Sequence, residues 1–94
     1  MAGKRITYRA HAIQRMFERQ IAETDVAGVL AAGEVIEDYH DDYPYPSRLM
    51  LGWCGSRPLH VVAAENTAAV ETIVVTAYEP DEMEWQPGFK RRRR

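Results

Sequence analysis

The apolar residues of this chain change their spacing once, at Gly33, and that change limits what the chain can fold into. Before Gly33 they recur every three or four residues, as on a helix. After it they alternate or run in short blocks rich in Val, Ile and Thr, as in strands. Two N-terminal helices followed by a meander of strands is therefore the expected order. With 94 residues there is room for one core. The expectation is an α+β domain over 1–89, with two helices packed on a mainly antiparallel four-stranded sheet, and a disordered basic tail over 90–94.

From Tyr8 to Arg19, the residues Ile13, Met16, Phe17 and Gln20 form one stripe, extended by Ile21, and Thr7 stands where an N-cap belongs. A second helix is read from about Glu23 to Ala32, with Val26, Val29 and Leu30 facing inward and Gly33 as a left-handed C-cap. Strand character starts at Glu34 and resumes over Arg48–Cys54. Gly55-Ser56 has the composition of a primed two-residue turn, returning the chain through Arg57–Glu65. That turn sets a register: Cys54 opposite Arg57, Trp53 opposite Pro58, Leu51 opposite His60. Both faces of the hairpin are then apolar, so both need cover. Val70–Tyr78 reads as the last strand, and Trp85, Pro87 and Phe89 as a segment lying on the body once more.

Charge is segregated. Residues 1–21 carry five bases and one acid, residues 22–47 seven acids and no base, and residues 90–94 are all basic. The net charge is −2, so the chain without those five cations stands at −7. Such a balance does not coat a protein for nucleic acid, although the first helix has a local basic face. No apolar stretch is long enough to cross a bilayer, and the start has no signal-peptide pattern. Cys54 has no second cysteine to pair with, which suits a reducing compartment, and cytoplasm is the expected location.

Three residues stand out for chemistry. His11, Arg15 and Arg19 are spaced by four, which aligns them on one helical ridge where they could meet an anion. An imidazole beside two permanent cations suits proton transfer at a phosphodiester. The alternative is a solvated face with the arginines paired to Glu18 or Glu23. His60 is a second acid–base candidate or else a buried histidine satisfied by a neighbour, and Tyr78 a phosphate donor or an amphipathic core edge. His40-Asp41-Asp42 lacks the spacing of a metal site, and neither metal nor cofactor is expected.

Taken together, His11-Ala12-x-x-Arg15-Met16-x-x-Arg19-x-Ile21, Asp25-Val26-x-x-Val29-Leu30-x-x-Gly33-Glu34-x-Ile36-x-x-Tyr39, Gly55-x-Arg57-Pro58-Leu59-His60-Val61-Val62 and Thr76-x-Tyr78-x-Pro80 resemble the bacterial domain-of-unknown-function family 4258. The resemblance runs from Ile6 to about Trp85. It implies kinship with small RelE-like and BrnT-like ribonuclease toxins of toxin–antitoxin pairs, which cleave RNA without a metal. Carried over, His11, Arg15, Arg19, His60 and Tyr78 would form the catalytic set, RNA would be the substrate, and a cognate antitoxin the protein partner. The competing expectation is a non-catalytic protein-interaction domain in which the same residues hold a core or a partner.

Overall fold

The computed structural model describes residues 4–94; residues 1–3, counted in the domain above, lie outside the described part. The elements run β1 (Arg5–Tyr8), α1 (Ala10–Glu18), α2 (Glu23–Ala32), β2 (Glu34–Tyr39), β3 (Ser47–Cys54), β4 (Arg57–Asn66) and β5 (Glu71–Tyr78). The strands form one five-stranded sheet in the order β1-β5-β4-β3-β2. Strands β2 to β5 pair antiparallel, while β1 lies parallel to β5. The fold is therefore two helices on a five-stranded mixed sheet, and the expectation of a four-stranded antiparallel sheet is corrected by β1. Arg5–Tyr8 is too short to display a period. Its partner, Glu71–Val74, is far away in sequence, so nothing local announces the pairing.

The β3–β4 register is the one the Gly55-Ser56 turn dictates, with Leu51 opposite His60 and Cys54 opposite Arg57. Gly55 adopts φ +62°, as the first position of a primed turn requires. One face of the sheet carries Met50, Leu59, Val61, Val74 and Ala77, which pack with Ala12 and Met16 of α1 and Val26 and Val29 of α2. The opposite face carries Leu49, Leu51 and His60, all buried as well, and the C-terminal segment lies across it through Trp85. Cover on both sides is why both faces of the hairpin could be apolar.

Three local expectations change. Thr7 lies in β1 and donates its hydroxyl to Glu71; Arg9 is the residue at the N-cap of α1. Gly33 is extended, at φ −75° and ψ 178°, so its need for glycine is not a left-handed cap. A Cβ there would stand 2.6 Å from the carbonyl oxygens of both Leu51 and Val29, where α2 turns into β2. In α1 the stripe is rotated. Ala12 and Met16 are buried, whereas Ile13 is half exposed and Phe17 is 82% exposed. The small side chain of Ala12 lets the helix approach β5 closely, and that contact fixes which face turns inward.

The basic residues 90–94 lie against the body. Arg92 donates to both carboxylate oxygens of Glu37 (3.0 and 3.1 Å) and stacks over the Trp85 ring at 4.7 Å. Lys90 pairs with Glu34 at 3.0 Å. Among the described residues no helix is long and apolar enough to cross a membrane.

Candidate functional site

His11, Arg15 and Arg19 begin on the ridge the spacing predicts but do not meet. His11 is exposed near the start of α1. At 1.5 Å of rise per residue, eight residues put His11 and Arg19 about 12 Å apart along the helix axis. Arg15 is exposed and pairs with Glu18 at 3.5 Å. Arg19 is the C-cap residue of α1, and its guanidinium reaches across to donate to the Ala77 carbonyl of β5 at 2.9 Å.

That reach brings Arg19 to an open depression of about 420 Å³ at the end of the sheet, lined by Arg19, Arg57, Tyr78, Glu79, Asp81 and Glu84. Arg57 is placed with unusual care. Its guanidinium donates to the carbonyls of Arg19 and Gln20, both at 2.8 Å, and its Nε to Glu79 at 2.9 Å. These bonds satisfy backbone carbonyls just past α1, where orphan acceptors collect and cations are favoured. Gln20 itself adopts φ +57°, so Arg57 anchors a turn in the left-handed region.

Behind Tyr78 lies His60, opposite it in the β4–β5 ladder and fully buried. The Nε2 atom lies 2.8 Å from the carbonyl oxygen of Phe89, and Nδ1 lies 3.3 Å from the Tyr78 hydroxyl. A carbonyl can only accept, so Nε2 carries the proton and Nδ1 accepts from Tyr78. Burial pushes the His60 imidazole below its ordinary value, which suits this neutral form. Burial likewise raises Tyr78, so its phenol stays protonated at neutral pH. Trp85 meets the His60 ring edge-on, with centroids 4.4 Å apart.

Of the five residues named from the sequence, the structure thus joins Arg19 and Tyr78 at one depression and sets His60 directly behind Tyr78. It leaves His11 and Arg15 on the exposed ridge. Arg57 escaped the sequence reading. Its signal was present: it is the only cation between Leu49 and Phe89, a stretch that holds six acids. Glu37 was also passed over, and the hydrogen bond from Arg92 holds its carboxyl below the usual carboxylate value.

A second depression, about 430 Å³ between α2 and β3, holds none of these residues. It is walled by Gly28, Gly52, Asp25 and Cys54, and burial with the nearby Asp25 carboxylate pushes the Cys54 thiol up, away from the reactive thiolate. Among the described residues no group of three or more His, Cys, Asp or Glu side chains is arranged to hold a metal ion.

The fold and the site define a small α+β domain with an arginine–tyrosine depression at the end of a mixed sheet. Residues 8–79 match the family described as a domain of unknown function, DUF4258. That range covers well over half of the chain, and the protein belongs to this family. No curated protein and no solved structure matches it.

Proposed function

We propose that this domain is a metal-independent endoribonuclease of toxin type, acting on single-stranded RNA at the Arg19–Arg57–Tyr78 depression. The observation that carries the reading is the convergence there of two guanidinium groups and a protonated phenol. Guanidinium groups suit the planar oxygens of a phosphodiester, and in a partly enclosed site they stabilise the charge added as phosphorus becomes pentacovalent. The ribose 2′-hydroxyl attacks the adjacent phosphorus, forming the O2′–P bond and breaking the P–O5′ bond. Tyr78 gives its proton to the departing 5′-oxygen and is reprotonated by solvent at the open depression, while His60 Nδ1 holds the phenol in place as an acceptor. The 2′-hydroxyl proton passes to solvent water, which reaches the open depression; His11, on the exposed ridge of α1, stands too far away to take it. The products are a 2′,3′-cyclic phosphate and a 5′-hydroxyl.

In the test, single-stranded RNA is incubated with the protein and a chelator beside its 2′-O-methyl analogue. The RNA is cut and the analogue is bound but left intact; Arg19→Ala and Tyr78→Phe each lower the rate at least tenfold with circular dichroism unchanged. RNA left intact at high protein concentration, from acid to mildly alkaline pH, overturns the reading. One observation favours a protein-interaction role instead: Ile13 and Phe17 lie exposed one helical turn apart on α1. In that case Phe17→Asp abolishes partner capture, and no RNA is cut by any form.

A further inference from the structure

The depression is ringed on one side by residues of the C-terminal segment. Asp81 and Glu84 line it together with Arg19, Arg57 and Tyr78. The same segment sends Trp85 onto His60 and sets the Phe89 carbonyl on its Nε2. The family match stops at residue 79, so every one of these covering residues lies beyond the matched range.

We infer that residues 81–94 are an autoinhibitory strap, with the Asp81 and Glu84 carboxylates lining the depression in which RNA phosphates bind, an inference that rests on the ribonuclease reading above. Two carboxylates lining a depression that holds two arginines oppose the entry of a polyanion by like charge. The strap also covers His60, with Trp85 on its ring and the Phe89 carbonyl on its Nε2.

The strap is pinned at Trp85 and loosely held beyond it. Its anchor is Trp85, 1% exposed, with Phe89 edge-on to Trp53 at 6.1 Å between centroids as the next contact. Residues 81–84, 86–88 and 90–94 are exposed. Phe89 is held at φ +62°, a region that costs a non-glycine residue conformational energy, so its conformation depends on the contacts that hold it. The clasp is Arg92 on Glu37, an ion pair whose arginine side chain is 58% exposed and therefore open to competition by salt or by another basic or acidic chain.

Two sets of variants test this in the full-length protein. Asp81→Asn with Glu84→Gln removes the opposing charge and leaves Trp85 in place. Arg92→Ala, or Glu37→Gln, loosens the clasp. The expected result is at least tenfold tighter binding of a fluorescent 2′-O-methyl oligonucleotide by the first variant. Faster cutting of the ribo form is expected from both, with the NMR titration of His60 moving towards an ordinary imidazole only in the clasp variants. The control is Asp38→Asn with Asp41→Asn, which removes two exposed acids elsewhere; an equal gain there would reduce the effect to net charge and overturn the strap. If wild type and all variants cut RNA at one rate, the strap falls while the ribonuclease reading stands. If His60 opens and no form binds or cuts RNA, both fall.

Discussion

Replacing Trp85 by alanine should be among the most damaging single changes in the second half of the chain, although it lies in no regular strand or helix. The side chain is 1% exposed, edge-on to His60 and beneath the Arg92 guanidinium. A buried tryptophan removes about 150–250 Å² from water, and at roughly 25 cal/mol per Å² this is an upper bound of about 4–6 kcal/mol. Large-to-small changes of buried aromatics cost about 3–5 kcal/mol, so the two scales agree. At about 4–8 °C per kcal/mol for a domain of this size, the melting temperature should fall by at least ~12 °C. Phe17→Ala is the matched control: its ring is 82% exposed, and the expected change is within about 0.5 kcal/mol. Urea unfolding followed by far-UV circular dichroism measures both. A Trp85→Ala loss below about 1 kcal/mol, no larger than that of Phe17→Ala, would refute the docked C-terminal segment.

The pH dependence of stability should carry the mark of His60. Burial lowers its folded-state pKa below the ordinary value, so between that value, about 6.5, and the folded pKa the unfolded chain binds the extra proton. Stability is then complete above about pH 6.5 and declines as pH falls through that window; His60→Gln should flatten the slope in thermal melts between pH 7 and 5, and an unchanged slope would contradict it. Two glycines should respond with opposite signs. Gly33→Ala puts a Cβ 2.6 Å from two carbonyl oxygens and should cost about 1–3 kcal/mol, while Gly28→Ala, with nothing within 4 Å in a helix interior, should gain roughly 0.5–1 kcal/mol in chemical denaturation. Arg92→Ala should cost no more than about 1 kcal/mol, because its side chain is 58% exposed, and the loss should shrink in high salt.

Local signals are legible where one segment determines its own structure. The bounds of α2, the β3–β4 register and the need to cover both faces of that hairpin follow from glycine placement and alternation alone. Non-local features were not legible. The pairing of β1 joins Arg5 to Glu71, and the inward face of α1 is chosen by the fit of Ala12 against β5 rather than by the larger Ile13 and Phe17. The candidate site divides along the same line. His60 opposite Leu51 follows from the register of the Gly55-Ser56 turn, whereas its pairing with Tyr78 does not, because the β4–β5 ladder shifts register between Val62 and Ala63. The turn that carries Arg19 off the ridge and into company with Arg57 depends on Gln20 at φ +57°, which composition does not announce. Spacing by four aligned His11 with Arg19, but alignment on a helix is not convergence when two turns separate the ends.

End-group analysis of cleaved RNA tests the central claim most directly. A single-stranded RNA cut in chelator by the Asp81→Asn, Glu84→Gln protein should carry a 2′,3′-cyclic phosphate on one fragment and a 5′-hydroxyl on the other, with cutting lost when Arg19→Ala is added. Fragments ending in a 3′-hydroxyl and a 5′-phosphate, or cutting that persists without Arg19, would contradict attack by the ribose 2′-hydroxyl at this depression.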